Sequence, residues 1–246
     1  MTSKLSRPVR QKLLIGHALR PCRLAGMLFC VGWAALFGSA IAAAEAAAPG
    51  AKAGLSVTSD VRQVTSWIRA TDDHHGQAFA IIDKKAAMLH MFDAAGTLRG
   101  SSPVLLGLAV GDESVPGIGE RKLSDIRPEE RTTPAGRFAS EPGRNLQNDD
   151  IVWIDYHAAV SMHRGRAGGK GDRRLERLAT PTPDDNRISY GCVNVPAAFY
   201  DALVKPLLGS APGVIYVLPE TRPVDTILKA AGAVSPHAAR QSAEPL

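Results

Sequence analysis

The sequence predicts a mainly β domain. Short apolar runs rich in β-formers recur along the chain, turn-forming clusters separate them, and no long helical periodicity lies between successive runs. Strands that follow one another without crossover helices pair as a mostly antiparallel sheet. Ahead of them, Val61, Val64, Trp67 and Ile68 recur at helical spacing and predict a short amphipathic helix. The first strand is Ala78-Phe79-Ala80-Ile81-Ile82; Asp83-Lys84-Lys85 turns the chain and Met88-Leu89-His90-Met91-Phe92 returns it. His90, between apolar neighbours, reads as a satisfied strand residue. Asp93-Ala94-Ala95-Gly96 is another turn, and Pro103 to Val110 reads as a third strand. Gly111 to Thr132 is polar and long enough for a mobile flap over a site. Thr133-Pro134-Ala135-Gly136-Arg137-Phe138 joins a proline-set turn to a strand, with a polar loop from there to Asp150. Ile151 to Tyr156 and Ala158 to His163 read as two strands around a bend at His157. After Cys192, Pro196 suits the first position of a helix packed by Phe199, Tyr200, Leu203, Val204 and Leu207. Gly213 to Leu218 is the last strand. The tail from Pro219 is Ala/Pro-rich and polar, with one helical piece near 226–231, and is expected to be largely flexible.

Charge is distributed unevenly. The formal net charge of +5 comes from residues 1–44, which hold Lys4, Arg7, Arg10, Lys12, Arg20 and Arg23 and no acid. The rest carries 23 basic against 24 acidic residues, so no polyanionic partner, and no nucleic acid, is implied. The basic start, the apolar run Leu24 to Phe37 and the small residues Gly38 to Ala46 follow the three-part pattern of a secretory signal peptide. An uncleaved membrane anchor is the alternative, since Leu24 to Ala44 is long enough to span a bilayer. Either way the remaining chain is expected outside the cytoplasm, in the periplasm or cell envelope, with membrane contact only if the leader stays. The expected organisation is a leader at 1–44, a linker and short helix at 45–76, the main domain at 77–219 and a tail at 220–246.

The chemistry centres on Ile188-Ser189-Tyr190-Gly191-Cys192-Val193-Asn194-Val195. Cys22 and Cys30 lie in the leader, so Cys192 is the lone cysteine of the expected mature chain and has no internal disulfide partner. Gly191 leaves the backbone bare beside the sulfur, and an apparent strand-to-helix change here suggests a thiolate-favouring helix N-terminus. A buried, inert thiol is the competing reading. A nucleophile needs a base, and the candidates are His157 and His163. His163 is favoured because it ends a strand just before a loop. Between it and the cysteine, residues 164–187 hold seven cations (Arg164, Arg166, Lys170, Arg173, Arg174, Arg177, Arg187) against Asp172, Glu176, Asp184 and Asp185. That insert reads either as a solvated loop or as a basic lid for acidic substrate groups. Asp72-Asp73-His74-His75 reads as a solvated turn rather than a metal site, because adjacent residues seldom converge on one ion.

In order, four stretches resemble the L,D-transpeptidase (YkuD-like) catalytic domain, over roughly Gln77 to Pro219. They are the Asp83-to-Leu89 hairpin, Gly107 with Thr133-Pro134-Ala135-Gly136-Arg137-Phe138, Ser161-Met162-His163-Arg164-Gly165, and Ser189-Tyr190-Gly191-Cys192-Val193-Asn194. The resemblance implies a β-sandwich-like fold with one or two short helices, and acyl transfer through a Cys192 thioester with release of D-alanine from a peptidoglycan stem tetrapeptide. His163 would be the base, with the main chain around Arg164 orienting it. Gly191 and Cys192 N–H groups would meet the oxyanion, and Ser189 and Asn194 would hold the loop. No cofactor or metal is implied; the partners are peptidoglycan stem peptides, and carbapenem-type inhibitors are expected ligands. Tyr190 stands where the family often has histidine, and the 164–187 insert is longer than is usual. An L,D-carboxypeptidase or peptidoglycan hydrolase with the same pair, or a silent peptidoglycan-binding module, are the alternatives.

Overall fold

The computed structural model describes residues 57–166, 168, 171–180 and 182–233. The expected leader with Cys22 and Cys30, most of the linker and the end of the tail lie outside the described residues. Helix α1 (Ser59–Thr71) begins at an N-cap threonine, Thr58, whose hydroxyl accepts the Val61 N–H at 3.3 Å and donates to Asp83 at 2.7 Å. Among the described residues ten strands follow: β1 (Phe79–Asp83), β2 (Met88–Phe92), β3 (Leu98–Pro103), β4 (Leu106–Gly107), β5 (Gly136–Arg144), β6 (Asp150–Asp155), β7 (Val160–Arg164), β8 (Arg187–Ser189), β9 (Val193–Val195) and β10 (Gly213–Val217). Eight of them form one sheet in the order β3-β2-β1-β10-β5-β6-β7-β9, and β4 pairs with β8. Most neighbours are antiparallel, but β1–β10, β7–β9 and β4–β8 are parallel.

Strand β5 joins the two halves of this mainly β fold. Its first half pairs with β10 (Ser140↔Gly213 to Gly136↔Val217) and its second with β6 (Glu141↔Trp153 to Arg144↔Asp150). The two halves enclose one core, with Ala80, Ile82, Leu89 and Ile215 in the same cluster as Val152, Met162, Val193 and Val195. The opposite face of β1 and β10 is covered as well. Phe79, Ile81, Val214 and Tyr216 pack with Val61, Val64 and Ile68 of α1, with Val224, and with Ile227 in helix α2 (Asp225–Ala233). Burial on both faces is why these strands are continuously apolar rather than alternating. Each fully buried α1 side chain contributes about 1.5–3 kcal/mol, so helix and sheet form one packed body.

Several expectations change. The strand expected at Pro103–Val110 is instead β3, Leu98–Pro103, plus the two-residue β4. β3 is an edge strand with only Ser102 of its six residues buried, so it does not need an apolar pattern, whereas Val104 and Leu105 are fully buried outside any strand. The polar loop expected before Asp150 is largely the outer half of β5, hydrogen-bonded to β6. Residues 111–132 are pinned rather than free. Three short 3-10 turns (Ile118–Glu120, Leu123–Asp125, Pro128–Glu130) bury Ile118, and Arg121 and Arg127 both hold Glu130. The turn at 72–75 is not simply solvated either: Asp73 points inward to Arg137 and Tyr216, and His74 is buried with Nε2 on the Ala94 carbonyl. His90 is half satisfied, its Nδ1 2.7 Å from Ser101 Oγ while Nε2 has no partner among the described residues.

Candidate active site

The parallel pairing of β7 with β9 builds the site. Its register sets Met162 beside Val193 and His163 beside Asn194, which brings Cys192 alongside Ser161 at the end of the ladder. The Ser161 N–H points at Cys192 Sγ at 3.5 Å, Ser161 Oγ lies at 3.7 Å, and the Ala159 carbonyl at 3.7 Å. His163 lies two residues along β7 and therefore on the face of Ser161, and it is the neighbour that most lowers the Cys192 thiol. Its Nδ1 donates to the Arg164 carbonyl at 2.9 Å, which leaves Nε2 to exchange a proton with sulfur. His157, the other candidate, is exposed in the turn between β6 and β7.

The electrostatics favour a charged pair. Burial alone raises the Cys192 thiol, but the hydrogen bond and charge of His163 and the Ser161 N–H outweigh it, and the net shift is downward. Burial likewise pushes His163 down, yet Cys192 and the Arg164 carbonyl carry it above its ordinary value. The expected helix contribution is absent. Strand β9 follows the cysteine, and the helical run starts only at Ala197 after an N-capping Pro196. The imidazole and a main-chain N–H, not a helix dipole, favour the thiolate.

The loop that carries the sulfur is tied at every residue. Ser189 Oγ donates to the Cys192 carbonyl at 2.6 Å and accepts the Gly191 N–H at 3.1 Å. Asn194 Nδ2 donates to the same carbonyl at 3.3 Å, and its backbone exchanges two 2.9 Å bonds with Leu105. Gly191 has φ +130°, and a Cβ there would sit 2.7 Å from the Thr132 carbonyl oxygen, so no other residue fits without displacement. Tyr190 is stacked under Arg131, whose guanidinium lies 4.0 Å from the ring centroid.

The 164–187 insert is not an open basic lid. Arg164 pairs with Asp150 and Asp201, Arg166 with Asp149, Arg173 with Glu176, and Arg174 with Asp172 and Asn194 Oδ1; Arg187 pairs with Glu220. Arg177 caps the carbonyls of Asp172 and Asp185, and Lys170 lies outside the described residues. The Arg164 side chain thus anchors the helical run after the site, while only its carbonyl serves His163. A cleft of about 210 Å³ opens beside His163, where Asp149 and Asp150 face Arg164 and Arg166.

Two contributors were given no role of their own in the sequence reading, although both stand in stretches quoted there. Ser161 was detectable, because strand alternation puts it on the face of His163. Thr133 was not: its hydroxyl accepts the Gly107 N–H at 2.9 Å and donates to the Gly191 carbonyl at 2.8 Å, which links three segments distant in sequence.

Fold and site together define a mainly β domain carrying a polarised cysteine–histidine pair on adjacent parallel strands. No protein-family model and no curated protein matches the sequence. Among solved structures, the chain is similar to the helical cell shape determining protein Pgp2 of Campylobacter jejuni (13% identity, TM-score 0.38, 59% of this chain and 49% of that one). It is similar to an L,D-transpeptidase of Xylanimonas cellulosilytica (16%, 0.36, 57% and 60%) and to a cysteine-to-serine mutant of the Enterococcus faecium L,D-transpeptidase (18%, 0.32, 58% and 50%). The chain spans about half of those proteins' lengths, and likenesses this slight carry no argument about activity.

Proposed function

We propose that the protein is a cysteine-dependent acyl transferase of the cell envelope, an L,D-transpeptidase acting on peptidoglycan stem peptides. The observation that carries this reading is the placing of Cys192 beside Ser161 at the end of the β7–β9 ladder, with His163 on the same face and its Nδ1 anchored on the Arg164 carbonyl; the thiol drawn down and the imidazole drawn up agree with it. The Cys192 thiolate attacks the carbonyl that precedes the terminal D-alanine, and the C–S bond forms. His163, as imidazolium, delivers its proton to the leaving amine as the C–N bond breaks. An amine on a second stem then attacks the thioester, the C–S bond breaks, and the amine's proton passes to His163. The Gly191 N–H is held by Ser189 Oγ, so the oxyanion falls to the Cys192 N–H, one such donor being worth about 3 kcal/mol of barrier.

The test is intact-mass analysis of leaderless protein incubated with a disaccharide-tetrapeptide, beside Cys192→Ala and His163→Ala. Loss of D-alanine with a dimeric product, absent from both variants, is the expected result. A tripeptide product without dimer would replace the transferase by a carboxypeptidase. Unchanged substrate together with no carbapenem adduct on Cys192 would leave a binding module.

A further inference from the structure

The molecule buries a lysine that the chemistry above does not use. Lys84, at the β1–β2 turn, is 1% exposed. Its three ammonium protons go to the Gly111 carbonyl, Asp112 Oδ1 at 2.8 Å and the Thr133 carbonyl at 2.9 Å, with Glu220 Oε1 at 3.3 Å. Glu220 pairs with Arg187, which also donates to the Lys84 carbonyl at 3.0 Å. Asp112 is saturated by the N–H groups of Glu220 and Thr221 and by the Thr221 hydroxyl. Two cations and two carboxylates are therefore taken out of water together, an arrangement that a hydrophobic cluster of equal volume would match in stability. What apolar packing would not supply is direction.

The direction leads to the nucleophile. Thr133, fully buried, receives Lys84 on its carbonyl and turns its hydroxyl to the Gly191 carbonyl, one peptide before Cys192. Arg187 opens β8, which runs into Ser189, the other hydroxyl on this loop. The cluster thus grips both approaches to the Gly191–Cys192 bend. Gly107 closes the frame from below: its N–H donates to Thr133 Oγ1, and a Cβ on it would lie 2.4 Å from the Arg131 carbonyl oxygen.

We infer that Thr133, held by the buried Lys84–Asp112–Glu220–Arg187 cluster, is a positioning residue that orients the Gly191–Cys192 peptide and so aims the sulfur at His163. Without its hydroxyl, the Gly191 carbonyl loses its donor, the peptide is free to rotate, and Sγ leaves the Ser161 N–H and the imidazole. The inference deepens the transferase reading, yet its first readout, thiol reactivity, does not depend on that reading.

The experiment compares Thr133→Val, which keeps shape and removes the hydroxyl, with Thr133→Ser, which keeps the hydroxyl. In the leaderless protein, the pH dependence of Cys192 alkylation by iodoacetamide is measured together with the melting temperature. Thr133→Val is expected to slow alkylation at pH 7 by about tenfold or more and to move the profile to higher pH, with Thr133→Ser within about threefold of wild type. If transferase turnover is found, kcat falls about 10²-fold with little change in KM. A folded Thr133→Val with a wild-type alkylation profile, or a Thr133→Ser as impaired as Thr133→Val, overturns the inference. Should Thr133→Val not fold, Glu220→Gln is read in the same assay, and unchanged alkylation there overturns it equally. Failure of turnover with a shifted alkylation profile would count against the transferase reading and leave the positioning role standing.

Discussion

Replacing Gly191 by alanine tests the geometry of the nucleophile loop most directly. The residue sits at φ +130°, a conformation that costs an L side chain about 1–3 kcal/mol. The new Cβ would also lie 2.7 Å from the Thr132 carbonyl oxygen, and ordinary contact begins near 3.4 Å, so about 0.7 Å of backbone displacement is needed. Overpacking of that order adds about 1–3 kcal/mol. The sum is about 2–6 kcal/mol, or a fall in melting temperature of about 6–18 °C for a domain of this size. Gly76→Ala is the internal control. It also has positive φ, +67°, but nothing lies within 4 Å of a Cβ there, so only the backbone term of about 1–2 kcal/mol applies. Differential scanning calorimetry on the leaderless variants reads the difference, and iodoacetamide labelling reads the thiol. Gly191→Ala is expected to melt well below Gly76→Ala and to label more slowly than wild type. Equal melting temperatures for the two variants, with wild-type labelling, would refute the claim that Thr132 and Gly191 are locked together.

Two further predictions concern protonation. In His163→Ala the thiol keeps its burial and loses the imidazolium, so the Cys192 alkylation profile should move to higher pH and the rate at pH 7 should fall about tenfold or more; an unmoved profile would dissolve the pair. Glu130 is held down to about 2 from its ordinary 4.5, chiefly by the Arg121 hydrogen bond. A depressed carboxylate stabilises the fold above its unfolded value and loses that stabilisation as pH falls from about 4.5 to about 2. Glu130→Gln should therefore lower the urea midpoint at pH 7 and flatten its decline between pH 4.5 and 2; parallel wild-type and variant curves across that range would show that Glu130 is not the group responsible.

The β character, and the candidate residues Cys192 and His163 that the fold brings to one site, were legible in the sequence because each is a local property. Gly191 beside Cys192, the strand ending at His163, and the apolar runs of β1, β2, β6, β7 and β10 depend on neighbours a few residues away. Strands that carry no apolar signal were not legible: β3 and the outer half of β5 are written mostly in polar residues and exist because a neighbouring strand offers them hydrogen bonds. The insert's charge also misled, since seven cations counted along the chain resemble a basic surface, while folding brings Asp149, Asp150, Asp201 and Glu220 against three of them, Arg164, Arg166 and Arg187.

By itself, then, the sequence determined which residue types were available for chemistry and which short stretches would extend or coil. The tertiary structure alone decided that β7 and β9 lie parallel and adjacent, so that Ser161 rather than a helix N-terminus joins His163 in favouring the thiolate. It alone decided that Lys84 reaches Thr133, and Thr133 reaches Gly191. The physical reason is that a hydrogen bond or ion pair between residues 49 or 58 positions apart leaves no periodicity in the chain. Its partners are selected only when the core closes and every buried donor and acceptor must find one.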